Sequence, residues 1–202
     1  MTRGIALVSV VALAAALPAA AAQAPTLAAS ASTVGQLSQI ALTGTAGSGK
    51  AGQAVYVEAK ECNASFFRVV AAATTAAGGS WSTNAPVGMT TTFRARSGRA
   101  YSNNVVVRKR AVVSLVKRPN SRQFVASVHS GWTLAGKPIR IERYTASGWV
   151  LVAQKRLKRN AVFGETNASF RIRRNGLRLR AFVPLSSARP CFVAGASTIV
   201  DS

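Results

Sequence analysis

The chain has 202 residues, 26 Lys and Arg against 5 Asp and Glu, one histidine and a formal charge of +21 at pH 7. Five carboxylates, one histidine and two cysteines are scant material for a metal cage, a paired-carboxylate hydrolase or a nucleophile triad. No catalytic residue, metal or cofactor is therefore expected, and an apolar fraction of 49% excludes a disordered tail.

Residues 1–22 have the pattern of a signal peptide: Arg3, an apolar run from Ile5 to Leu17, and Ala19 to Ala22 before the expected cleavage point. A retained membrane anchor is the alternative, against which stand Pro18, the alanine content and the lack of basic residues on the far side. No later apolar stretch is long enough to cross a bilayer, so the mature chain is expected without a membrane span, secreted to the extracellular space or associated with the cell wall.

From Gln23 onward, short alternating segments are broken by Gly, Ser, Asn and Pro, and no window keeps apolar residues at helical spacing over three turns. The pattern predicts an all-β chain. Strands are expected over 39–43, 54–62, 67–74, 80–85, 91–97 and 104–109, then over 112–116, 123–130, 138–144, 149–157, 168–173, 177–183 and 197–200. Val55, Val57 and Ala59 share one face, with Tyr56, Glu58 and Lys60 opposite; Ile139 and Ile141 likewise oppose Arg140 and Glu142. Trp81, Phe93, Trp149 and Phe170 are expected to pack in cores.

The two sets of strands repeat. Ala51-Gly52-Gln53-Ala54-Val55-Tyr56-Val57 matches Ala135-Gly136-Lys137-Pro138-Ile139-Arg140-Ile141, and Phe67-Arg68-Val69-Val70-Ala71 matches Trp149-Val150-Leu151-Val152-Ala153. Arg94-Ala95 then matches Arg180-Ala181, and Ser102 with Val105 matches Ser197 with Val200. Two units follow, 23–109 and 110–202, each the size of a Greek-key sandwich.

Ala51-Gly52 before an alternating strand, the aromatic openers Phe67 and Trp149, Gly78-Gly79-Ser80-Trp81, and Thr91-Thr92-Phe93-Arg94-Ala95 leading to Tyr101-Ser102-Asn103 resemble the immunoglobulin-like domains found in tandem in exported actinobacterial proteins. The resemblance covers nearly all of the mature chain and implies two tandem immunoglobulin-like Greek-key β-sandwiches. Its motifs mark a fold and carry no active site. The second unit departs from it, with Asn167-Ala168-Ser169-Phe170 where the first has the glycine-rich turn and Trp81.

In an exported protein two cysteines invite a disulfide, and Cys62 with Cys191 is the one intramolecular pairing available, unpaired or intermolecular thiols being the alternative. Under the topology that the resemblance implies, Cys62 closes a strand running toward the second unit and Cys191 lies in a loop facing the first. Both sulfurs then meet at the junction, clamping units whose linker, 107–112, has neither Gly nor Pro.

The basic charge is uneven. Residues 23–109 hold eight basic and two acidic side chains, residues 110–202 seventeen and three. Arg140, Arg171, Arg173, Arg178 and Arg180 alternate with apolar residues and are expected to face water in rows, with Lys155-Arg156-Leu157-Lys158-Arg159 projecting from a loop nearby. Like charges on neighbouring strands cost up to about 1 kcal/mol per direct pair, which points to an anionic ligand. Phosphate-bearing envelope polymers and host glycans are the candidates, since the guanidinium fork matches phosphate and sulfate; a solubilising surface is the plain alternative. The basic strands lack interleaved exposed aromatics, so no specific nucleic-acid partner is expected.

The reading is an exported, non-enzymatic binding or structural protein of the cell envelope or extracellular space. An adhesin or protein-protein interaction module using Phe66, Tyr101 and Phe192 is the alternative, with packing at the domain junction the other reading of Phe66 and Phe192, and an enzyme comes third. Gly44 to Ala51 approaches a nucleotide-binding loop, but Ala51 stands where magnesium needs a hydroxyl, so a turn is expected. His129 has no histidine partner and is expected as a solvated strand residue; Glu58 and Glu61 fall on opposite strand faces and make no acid/base pair.

Overall fold

The computed structural model describes residues 23–36 and 39–202; the signal peptide assigned to residues 1–22 lies outside the described residues. The first half holds β1 (Ala28–Ala29), β2 (Thr33–Val34), β3 (Gln39–Thr45), β4 (Ala54–Glu61), β5 (Arg68–Thr74), β6 (Ser80–Pro86), β7 (Thr91–Ser97), β8 (Ala100–Tyr101) and β9 (Val105–Lys109). The second holds β10 (Val112–Lys117), β11 (Gln123–His129), β12 (Pro138–Thr145), β13 (Gly148–Arg156), β14 (Lys158–Arg159), β15 (Glu165–Arg171), β16 (Arg178–Val183), β17 (Gly195–Ala196) and β18 (Val200–Asp201). A single-turn helix α1 (Leu185–Ala188) precedes β17. Among the described residues no helix is long and apolar enough to cross a membrane.

The chain is all-β, and its four described sheets form two sandwich-like pairs, one around each of two cores. In the first half the sheet β1-β3-β6 accompanies β2-β9-β7-β4-β5, with Leu42 and Trp81 from one and Val55, Val57 and Phe93 from the other in one buried cluster. In the second, β10-β11-β15-β14 accompanies β13-β12-β16-β17, with Phe124 and Phe170 stacked at 5.5 Å in a cluster with Ile139, Ile141 and Leu179. Period-2 alternation puts one side of each central strand inside, as in the buried pattern of β11 and β15.

The halves repeat the same hydrogen bonds. β4 lies between β5 and β7 as β12 lies between β13 and β16, with a register shift at Val57/Glu58 in one and Ile141/Glu142 in the other. Gly52 N donates to Thr75 O at 2.8 Å, as Gly136 N does to Leu157 O at 2.7 Å; these glycines have φ of 76° and 80°, which glycine adopts without steric cost. Ser102 Oγ accepts from Ala95 N at 2.8 Å, as Ser197 Oγ does from Ala181 N at 3.0 Å.

Two sequence equivalences change. Ala46 N donates to Gly79 O at 2.8 Å as Ser130 N does to Gly164 O at 2.9 Å, so Gly164 is the counterpart of Gly79. The glycine turn thus survives in the second half, and the strand after it starts at Glu165 instead of 168. Buried Trp81 therefore corresponds to buried Thr166, whereas Phe170 lies further along its strand. Trp149 is not a core residue: it is half-buried on the outer face of its sheet, while Trp81, Phe93 and Phe170 are buried. Nor is 155–159 a loop. β13 runs to Arg156, the chain crosses between sheets at buried Leu157, and Lys158–Arg159 form β14.

The halves differ most before the last strands. Ala95 and Ser102 are 7 residues apart, but Ala181 and Ser197 are 16 apart, and the longer connection carries α1, Cys191 and Phe192. This insertion docks on the first half. Cys62 and Cys191 form a disulfide with Cα atoms 5.4 Å apart across a sequence separation of 129. Thr90 N donates to Cys191 O at 2.9 Å, and Val193 N donates to Lys109 O at 2.8 Å. Only Arg110 and Ala111 lie between β9 and β10, and Met89 of the first half joins the second core. Phe192 is buried there, so of the three aromatics considered for partner contact only Phe66 and Tyr101 are exposed.

Candidate anionic-polymer site

Two of the predicted basic residues are engaged internally. Alternation along β12 places Glu142 on the outer face, and the regular β12–β16 register sets it directly opposite Arg180. Arg180 Nε and Nη2 donate to Glu142 Oε2 at 2.9 and 2.8 Å, and Arg140 Nε lies 3.8 Å from Glu142 Oε1. The Arg180 guanidinium also lies 4.0 Å from the Trp149 ring centroid. These arginines neutralise a buried carboxylate and do not stand free in a row. The first half has the same cluster: Arg94 and Arg96 Nε donate to Glu58 at 2.8 and 3.0 Å, with Arg94 4.0 Å from the Phe67 centroid. Burial pushes the Glu58 carboxyl up, but the hydrogen bonds and charges of Arg94 and Arg96 outweigh it and hold the group below its ordinary value. Glu58 is accordingly buried, not turned to water as the alternation predicts.

The other predicted residues are dispersed. Arg178 is exposed, opposite Asp201 in the β16–β18 register and 5.2 Å from the Tyr144 ring centroid. Lys155 and Arg156 lie on the outermost strand of one sheet, where Arg156 Nη1 donates to Gly136 O at 2.9 Å. Lys158 and Arg159 lie on the outermost strand of the other sheet. The nine residues form no single patch.

One group converges. Arg171 and Arg173 flank buried Ile172 and point away from the core on the same side. The register pairs Arg171 with Gln123, and Ile172 N donates to Arg122 O at 3.1 Å, which brings Arg122 alongside. The β10–β11 turn is held by Arg118 N donating to Gln123 O at 2.9 Å and Gln123 N donating to Ser121 Oγ at 3.1 Å, with Asn120 at φ 52°. Asn120, Ser121, Arg122, Arg171 and Arg173 line an open depression of about 430 Å³ without a carboxylate in its wall. Among the described residues none of these three arginines makes an ion pair. Sequence inspection missed Arg122, a basic residue in a turn whose neighbour across the sheet depends on strand register.

Such an arrangement offers forked donors and neutral hydrogen-bonding groups to phosphate or sulfate. Among the described residues no group of three or more His, Cys, Asp or Glu is placed to hold a metal ion. Fold and site define an all-β protein with two cores bridged by a disulfide and arginines gathered at the end of one sheet. Compared with known protein families and with curated proteins, the chain matches none.

Proposed function

We propose that the chain is an exported, non-enzymatic binding or structural protein of the cell envelope or extracellular space. On this reading residues 1–22 are a cleaved signal peptide, and the mature chain is two tandem immunoglobulin-like Greek-key sandwiches of the kind found in exported actinobacterial proteins, the second of which contacts an anionic polymer. The observation that carries the polymer contact is the Arg122, Arg171 and Arg173 group, three guanidiniums in one depression with no carboxylate in its wall. Like charges gathered in this way are unfavourable alone and become favourable when phosphate or sulfate displaces their counterions. The disulfide supports an oxidising compartment.

Elution from heparin resin along a salt gradient tests the site. Arg122→Gln/Arg171→Gln/Arg173→Gln is compared with Lys50→Gln/Lys137→Gln/Lys155→Gln, which removes the same charge from exposed positions elsewhere. The arginine variant is expected to elute at markedly lower salt. Equal elution of the two variants would reduce the affinity to net charge and reject the site.

A further inference from the structure

β11 and β15 run from the arginine group to a second concavity at their other end. At about 3.4 Å per residue the separation is about 20 Å. There the β11–β12 and β14–β15 loops enclose a cavity of about 320 Å³, whose walls include Trp132, Arg159, Asn160, Val162, Phe163 and Glu165. Trp132, Val162 and Phe163 are 49%, 59% and 93% exposed. Single exposed apolar side chains are ordinary, but three on adjoining loops around one concavity mark a ligand site.

Backbone hydrogen bonds tie the two loops together. Ser130 N donates to Gly164 O at 2.9 Å, Asn160 N to Glu165 O at 3.1 Å and Glu165 N to Val162 O at 3.1 Å. Gly164 has φ +74°, and a Cβ there would lie 2.5 Å from Ser130 O, so only glycine lets the loops approach this closely. Walls fixed in advance lower the ordering cost of binding.

Their chemistry selects the ligand class. Aromatic faces attract polarised C–H groups, such as those on a sugar ring, while the Asn160 amide and Glu165 carboxylate serve its hydroxyls. The volume lies at the small end of ligand cavities, of about 300–1,000 Å³, which fits one or two rings. Arg159 supplies a forked donor for a carboxylate, and the strongly basic half draws anions toward it. Glu165 repels an acid group beside it, which leaves the Arg159 wall for the carboxylate. We propose that Trp132, Phe163 and Arg159 form a saccharide site for a hexuronate unit, its ring against the aromatic walls and its carboxylate on Arg159. The site goes beyond the polymer contact proposed above and stands independently of it.

The test follows the Trp132 indole N–H by NMR in the full chain, titrated with trigalacturonate and, separately, with neutral maltotriose. The Trp132 signal is expected to shift, with the uronate bound about tenfold more tightly than the neutral trimer. Isothermal titration calorimetry reads the variants that lack the indole: Trp132→Phe retains trigalacturonate binding and Trp132→Ala loses it; Phe163→Ser, at a loop tip, gives the same loss should the alanine variant fail to fold. Arg159→Gln lowers uronate affinity to that of the neutral sugar, and the triple variant of Arg122, Arg171 and Arg173 leaves it unchanged. An unmoved Trp132 signal, equal affinity for both trimers, or uronate binding lost in the triple variant but kept in Arg159→Gln would overturn the proposal.

Discussion

Glu142→Gln removes one charge from a buried cluster while nearly preserving its shape. The Glu142 side chain is 7% exposed and the Arg180 side chain 23%, with two hydrogen bonds at 2.9 and 2.8 Å between them. Charge-assisted hydrogen bonds contribute about 1.5–3 kcal/mol each, and deleting one partner of a buried ion pair costs about 3–5 kcal/mol because the other charge is left uncompensated. Arg180 retains some contact with water and its stack on Trp149, so the lower end applies, about 2–3 kcal/mol. At about 4–8 °C per kcal/mol for a domain of this size, the melting midpoint of the second half falls by about 10–20 °C. Near-ultraviolet circular dichroism on heating reads this, since Trp149 reports the cluster directly. Glu142→Gln/Arg180→Gln is expected to cost no more than the worse single variant, the interaction being already broken. Glu58→Gln produces a similar loss in the first half, independent of the first because the cores are separate. A Glu142→Gln loss below about 0.5 kcal/mol, or additive effects of Glu142 and Arg180, would refute this account of the clusters.

Cys191→Ser opens a crosslink spanning 129 residues, for which chain entropy sets an upper limit of about 5 kcal/mol. The expected result is a lower unfolding midpoint and faster trypsin cleavage at Arg108 to Arg110; unchanged cleavage together with an unchanged midpoint would contradict the clamp. Acid distinguishes the Glu58 cluster. Because its folded carboxyl is held below the ordinary value, the stabilisation is complete above the usual carboxylate range and is lost as pH falls through the depressed value. The stability gap between the native chain and Glu58→Gln therefore narrows on acidification, as denaturation midpoints across a pH series will show; a gap constant down to about pH 3 would contradict it.

Local chemistry in the sequence was enough for the central strands and for the inward faces of β4 and β12, because alternation is a property of the backbone pleat. It also located the pairing of Cys62 with Cys191, helped by there being only two cysteines. The strand expected over 197–200 is instead two short strands, β17 and β18, each paired with β16, with residues 197–199 outside both. Alternation put Glu58, Glu142 and Arg180 on the outer face but left them turned to water. It counts residues along one strand, whereas an oppositely charged neighbour on the adjacent strand decided their burial.

The candidate site was only half visible for the same reason. Arg171 and Arg173 stand out as an alternating pair, but nothing along the chain joins them to Arg122 or separates them from Arg140. Likewise Trp132 and Phe163 lie on loops that meet only because β11 pairs with β15 and Gly164 lets Ser130 approach. Composition and periodicity determined an all-β, basic chain with a repeated pattern. Tertiary structure decided which charges cancel and which gather, because electrostatic energy depends on distance through space and strand register sets that distance.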